Sequence, residues 1–250
     1  MSGLLTKKRA VITGAAQGIG AAFAAGLAEH GAQVLLCDKD DCAHAAKQLS
    51  KAGAEAYHAL TDVADDADCA ALAKAAKAHM DGLDILICNA ALFGSLSLKH
   101  HRDIPIEEWD AVMAVNVKGV WLPIKHLAPL MDPGGSIITI ATNRVFAGSP
   151  NMVHYDASKA AVIGMTRSLC RELGADGLRV NCIAPGLTMS ENVLKKEGIQ
   201  ERTQSIINSR ALKREMLPDD IVGTAVFLAS DLSQSITGQT YVVDGGGVLR

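Results

Sequence analysis

Short apolar runs recur along the chain, each closed by Gly, Asp or Asn and each followed by a longer stretch whose apolar residues fall at helical spacing. The runs at 9–13, 33–37, 84–88, 136–140 and 178–183, together with 54–59, are predicted strands. The stretches at 18–30, 41–52, 65–80, 106–117 and 120–131 are predicted helices, and another helix carries Tyr155 on to about residue 173. Several of the strands are apolar throughout rather than alternating. A strand reads that way when both its faces are covered, so the pattern predicts an α/β fold with a parallel sheet between helices. No repeat, low-complexity tract or linker interrupts it, which predicts one domain over 1–250.

Composition adjusts this picture only slightly. The 250 residues are 49% hydrophobic but only 4% aromatic. That balance suits close helix-on-sheet packing and gives no aromatic-rich binding surface. A net charge of −3 offers no attraction for nucleic acid or an anionic membrane. The six cysteines are scattered, with no metal-binding spacing, as expected of buried thiols in a reducing compartment. No metal site is predicted. The start of the chain lacks the apolar core of a signal peptide, and no apolar run is long enough to span a bilayer. A cytoplasmic address is the expectation.

Chemistry first enters between the first strand and the first helix. Thr13-Gly14-Ala15-Ala16-Gln17-Gly18-Ile19-Gly20 spaces three glycines as G-x-x-x-G-x-G. Backbone without Cβ lets a pyrophosphate approach, and the helix start offers amide N–H groups and the positive end of a dipole. The alternative is a glycine turn that merely packs tightly. Asp38, at the end of the second strand, favours the dinucleotide reading, because a carboxylate there can accept a hydrogen bond from a ribose 2′-OH. The same charge repels a 2′-phosphate, so NAD is expected rather than NADP, although Lys39 lies alongside.

Tyr155 and Lys159 are one helical turn apart, so their side chains share a face. A phenol titrates near pH 10 in water, and bringing it near 7 takes roughly 4 kcal/mol. A cation about 4 Å away at an effective dielectric of 20 supplies energy of that order. Lys159 is therefore expected to turn Tyr155 into a proton-transfer group that works near neutral pH.

These motifs, with Asp62-Val63, Asn89-Ala90-Ala91, Asn116, Pro185-Gly186, Thr237-Gly238-Gln239 and Val242-Val243-Asp244-Gly245-Gly246 in register, resemble the short-chain dehydrogenase/reductase family over nearly the whole chain. The resemblance implies a Rossmann-like doubly wound sheet of about seven strands, hydride transfer with a nicotinamide, and a homotetramer. It implies that Tyr155 is the general acid/base and that Lys159 lowers its pKa and meets the nicotinamide ribose. It further implies that Asn116 holds a water linking Lys159 to solvent, and that Thr142 donates to the substrate oxygen where the family usually has serine. Gly14, Gln17, Gly18, Ile19, Gly20, Asp38, Asp62, Val63, Asn89, Ala90, Pro185, Gly186 and Thr188 would line the cofactor. Ala91 replaces the family's glycine and adds a methyl near the site mouth.

The substrate pocket is expected from Ala91, Phe93, Asn143, Arg144, Met152 and Leu187, with a lid over about 187–215; an ordinary pair of surface helices is the alternative to the lid. The run 141–152 is similar to that of pyridoxal 4-dehydrogenase and, more loosely, of aryl-alcohol dehydrogenases in the family, which implies a compact polar alcohol. Arg144 is read either as a clamp for an anionic substrate group or as paired with a nearby acid. A sugar or polyol dehydrogenase, an NADP-linked 3-oxoacyl-type reductase and a non-catalytic NAD-binding regulator are the alternatives.

Overall fold

The computed structural model describes residues 3–195 and 198–249. Seven strands, β1 (Arg9–Thr13), β2 (Gln33–Asp38), β3 (Ala56–Leu60), β4 (Leu83–Cys88), β5 (Met131–Ile140), β6 (Arg179–Pro185) and β7 (Thr240–Val243), form one sheet. Their order is β3-β2-β1-β4-β5-β6-β7, with every pairing parallel. The helices in chain order are α1 (Gly18–Glu29), α2 (Ala43–Lys51), α3 (Asp66–Met80), α4 (Ile106–Met113), α5 (Gly119–Leu127), α6 (Arg144–Ala147), α7 (Val153–Glu172), α8 (Glu191–Leu194), α9 (Ile199–Ser209) and α10 (Asp219–Ala229).

The continuous apolar strands are explained by two cores, one on each face of the sheet. Ile12, Leu36, Ile85 and Ile138 pack under α1 and α10, against Phe23, Leu27, Ile221 and Ala225. Their neighbours Val11, Leu35, Leu86 and Ile137 point the other way, under α3, α5 and α7, against Leu72, Ile124 and Val162. Because side chains alternate along a strand, a strand sandwiched in this way needs an apolar residue at every position. At Gly26, an added Cβ would lie 2.1 Å from Val222 Cγ1, so glycine allows α1 and α10 their close contact.

Three elements differ from the sequence reading. The helix expected over 106–117 breaks at Met113 into a wider π-turn over Ala114–Lys118, and α5 then starts at Gly119. β5 starts at Met131 rather than 136, with a register shift against β4 between Leu83 and Ile85. α10 was not foreseen, although Pro218 followed by Asp219 and Asp220 is a helix-start signal. Its core-facing residues, Ile221, Ala225 and Leu228, have helical spacing.

The chain end is secured within its own chain. Gly186 N–H donates to Val243 O at 2.9 Å and Leu212 N–H to Gly245 O at 2.8 Å. The sheet order reverses between β1 and β4, and at the carboxyl ends of those strands it opens a crevice.

Candidate active site

The crevice is a cavity of about 960 Å³. Its outer half is built on the glycine turn. Gly14 and Gly18 take positive φ values of 67° and 62°, and a Cβ on Gly20 would lie 2.0 Å from Gly14 O. Glycine is thus required by both conformation and contact. Gln17 is extended at the start of α1 and gives no side-chain cap, so the first amides of the helix are not capped from that residue. Thr13 joins the turn to β4: its Oγ1 accepts from Asn89 N–H and Ala90 N–H, both at 3.0 Å. Asn89 Nδ2 returns the link, donating to Thr13 O at 3.0 Å and Gly14 O at 2.9 Å.

Asp38 stands at the end of β2, its Oδ2 accepting from Ala16 N–H at 3.1 Å and its Oδ1 from Asp40 N–H at 3.2 Å. A carboxylate has about four acceptor positions, so capacity for a ribose hydroxyl remains. Asp62 Oδ1 accepts from Ala64 N–H at 2.8 Å and presents Val63 at the cavity wall. These features fit a dinucleotide: a turn with no room for Cβ, an uncapped helix start, and a carboxylate at the ribose end. Gln17, Ile19, Ala90, Pro185, Gly186 and Thr188 line the same cavity.

The inner half centres on α7. Tyr155 is 7% exposed and Lys159 2%, and the lysine Nζ lies 6.0 Å from the phenol ring centre. Thr142, just beyond β5, stands beside Tyr155 and favours the charged form of the phenol. Lys159 Nζ donates to Ile140 O at 2.8 Å. The expected lowering of the phenol pKa by Lys159 is not what this geometry gives. Burial pushes Tyr155 well above its ordinary value; the charge of Arg144 and the nearby Thr142 hydroxyl pull it down, and the charge of Asp156 pushes it up. Burial also lowers Lys159 from 10.5 to about 8. Removal from water works against the charged form of both groups, and here it dominates.

Asn116 is fully buried in the π-turn. Its Oδ1 accepts from Leu92 N–H at 2.7 Å, and its Nδ2 donates to Leu92 O at 3.3 Å and to Ser158 Oγ at 3.1 Å. With the amide so engaged, this side chain braces the 92 segment against α7.

Of the predicted substrate residues, Ala91, Phe93, Asn143, Arg144 and Leu187 line the cavity. Met152 does not: it is 1% exposed and packs with Leu96, Val112 and Tyr155, outside the lining. Arg144 holds Asp156 with two bonds, Nε to Oδ1 at 2.8 Å and Nη2 to Oδ2 at 3.0 Å. Its Nη2 also donates to Ser149 O and Pro150 O. The fork expected for an anionic substrate is therefore already occupied by an acid of α7 and a loop backbone. The 187–215 segment folds as α8 and α9 above the cavity, where Met189, Val193 and Ile199 pack with Phe93 and Leu187; residues 196 and 197 lie outside the described residues.

Two residues the sequence did not single out also shape the site. Asp244 Oδ2 accepts from Asn143 Nδ2 at 2.9 Å and ties the chain end to the loop after Thr142. Arg210, 2% exposed, donates from Nη2 to Leu187 O at 2.6 Å. Asp244 lies within a recognisable motif, whereas nothing local marks Arg210 as buried. Among the described residues no cluster suited to a metal ion occurs, and no helix is long and apolar enough to cross a membrane.

Comparison with known proteins agrees with this geometry. The family described as enoyl-(acyl carrier protein) reductase matches residues 14–247. Galactitol 2-dehydrogenase of Agrobacterium fabrum is 38% identical over 97% of this chain and 98% of its own. A dehydrogenase/reductase from Sinorhizobium meliloti 1021 superposes with a TM-score of 0.91 at 30% identity, covering 98% of this chain and 96% of that one. A structure from Beutenbergia cavernae, described as an NAD(P) dependent gluconate 5-dehydrogenase with NADP bound at low occupancy, has a TM-score of 0.89 at 34% identity, covering 97% of each chain. The chain is an oxidoreductase that belongs to the short-chain dehydrogenase/reductase family, whose members use a nicotinamide cofactor.

Proposed function

We propose that this protein is an NAD-dependent alcohol dehydrogenase acting on a small polar alcohol, in which Tyr155 exchanges a proton with the substrate oxygen. The observation that carries this is the placement of a buried phenol, beside Thr142 and one turn from Lys159, at the inner end of a cleft whose outer end suits a dinucleotide. Oxidising an alcohol takes a hydride acceptor, a proton acceptor and a donor to the oxygen. The bound nicotinamide supplies the first. Tyr155 supplies the second and the Thr142 hydroxyl the third, while Lys159 contributes positive charge behind the phenol. Asn116 positions the two segments that flank Tyr155.

The polar side chains along the substrate half, among them Ser95, Asn143, Asn151 and Asn192, suit an alcohol with several hydroxyls. The likeness to galactitol 2-dehydrogenase supports a polyol or sugar-derived alcohol. The α8–α9 segment is read as a lid over this half. Homotetramer formation is supported by the family, and by the exposed Ile106, Trp121 and Val153 on α4, α5 and α7. Free cysteines, five of the six buried, support a reducing, cytoplasmic setting.

The test is a panel of polyols, sugar acids, aromatic alcohols and their carbonyls, assayed with NAD and NADP by absorbance of the reduced nicotinamide. Turnover of an alcohol with NAD is expected. A non-catalytic regulator turns over nothing in the panel, and a 3-oxoacyl-type reductase works only in the reducing direction with NADPH.

Cofactor choice is assigned to Asp38. Asp38→Asn keeps an acceptor for Ala16 N–H but removes the charge facing a 2′-phosphate. The ratio of NADP to NAD efficiency is expected to rise at least about tenfold, since juxtaposed like charges cost on the order of a few kcal/mol. A wild-type enzyme that already prefers NADP refutes the assignment.

A further inference from the structure

Three parts of the chain wall in the substrate side of Tyr155: the segment after β4, the helix α4, and residues 152–154 at the start of α7. Each gives one residue to an apolar cluster, Leu96, Val112 and Met152, packed on Tyr155. The same three parts also give one residue each to a polar trio, Lys99, Glu108 and His154. Glu108 is central. Its Oε2 accepts from Lys99 Nζ, and its Oε1 lies 3.2 Å from His154 Nε2.

His154 is completely buried, directly before Tyr155 in sequence. The 3.2 Å separation is hydrogen-bond length but the angle is not, and Glu108 Oε1 and both ring nitrogens are without a hydrogen-bond partner among the described residues. A fully buried imidazole with neither nitrogen bonded is an unfavourable way to fill core space, and an apolar ring of similar size would avoid the loss. The trio also reaches the cleft by a second route: Lys99 N–H donates to Asn151 O at 3.0 Å, and Asn151 lines the cavity with a positive φ of 68°.

We propose that Lys99, Glu108 and His154 form a positioning set for the substrate half of the cleft. Glu108 anchors the 92–100 segment through Lys99 and lies against His154 at the start of α7, and so fixes Asn151 and Tyr155 relative to each other. This rests on Tyr155 being the group that meets the substrate. None of the three touches the glycine turn or Asp38, which come from β1, α1 and β2, so the effect is confined to the substrate side.

The test uses the full-length protein with Glu108→Ala, Glu108→Gln and His154→Phe. In Glu108→Ala, amide exchange over residues 95–103 and 149–154 is expected to accelerate at least about tenfold, the scale of one lost charge-assisted hydrogen bond, with exchange over 13–20 unchanged. NADH affinity, read by fluorescence, stays within about twofold. With galactitol, or another polyol turned over in the panel, KM rises roughly tenfold while kcat changes by less than about threefold. Glu108→Gln, whose amide oxygen still accepts from Lys99, restores most of both readouts. His154→Phe keeps or raises the melting temperature and still raises KM.

Exchange that quickens uniformly across the sheet, or that stays at the wild-type rate over 95–103, overturns the proposal, as does a parallel loss of NADH affinity. The exchange arm needs no turnover, so a panel without activity counts against the dehydrogenase reading and leaves this one to be decided by exchange.

Discussion

Tyr155→Phe lowers turnover by roughly two to four orders of magnitude, the usual worth of a positioned acid–base group, while NADH affinity stays within about twofold. The variant is a clean one because the ring is held by packing that the substitution keeps. Phe93 lies 5.0 Å from the Tyr155 ring at 44°, and Leu96, Val112 and Met152 close the other sides. Only the hydroxyl is lost. In the wild type, burial raises the phenol pKa, so at neutral pH the group holds its proton and is ready to donate to a carbonyl. Alcohol oxidation needs the phenolate, so its rate rises with pH on the alkaline side, whereas carbonyl reduction gains nothing there. The variant lacks both the rate and this difference between directions. Retention of a tenth or more of wild-type turnover, measured with the same alcohol at saturating NAD, removes Tyr155 from the role.

What the sequence made legible and what it hid divide along a physical line. Strand positions and the parallel type of the sheet follow from runs such as 84–88, because a strand covered on both faces writes that fact into every residue. The glycine turn follows from spacing, and the Tyr155–Lys159 pair from helical period. Each of these is local. Burial and long-range partners are not. Arg144 could be read as a clamp until Asp156 was seen bonded to it, and Met152 as a lining residue until it proved to pack outside the cavity. The link between Asn143 and Asp244 spans 101 positions, and no local pattern announces it. Asn116 was placed correctly in a helix, but the π-turn that buries its amide against Leu92 depends on how α4, α5 and α7 meet. The direction of the Tyr155 shift went astray for the same reason: Coulomb attraction can be guessed from spacing, whereas desolvation requires knowing that the phenol is 7% exposed.

Lys159 joins that desolvation to stability and yields an outcome that packing alone would not suggest. Lys159→Met is expected to abolish most turnover, by two orders of magnitude or more, because the family resemblance places this ammonium at the nicotinamide ribose, one turn from the phenol. The same change relieves the fold of a buried cation. Burial holds the folded-state pKa at about 8 against 10.5 for the free side chain. Below about pH 8 the lysine is charged in both states, and the folded chain bears the full desolvation penalty. Between about 8 and 10.5 the unfolded chain still binds the proton that the folded one has released, so wild-type stability rises with pH through this window. Above it the penalty is absent. The shift corresponds to a change on the order of 3 kcal/mol. Methionine has no such window, but it leaves Ile140 O without the 2.8 Å donor, which offsets about 1–3 kcal/mol of the gain near neutral pH. The firm expectation is therefore the difference between the two curves. In denaturant titrations from pH 7 to 10.5, wild type gains on Lys159→Met by a few kcal/mol as pH rises. Parallel curves across that range mean that the buried amine does not carry a depressed pKa, and the electrostatic account of the site then fails at its base.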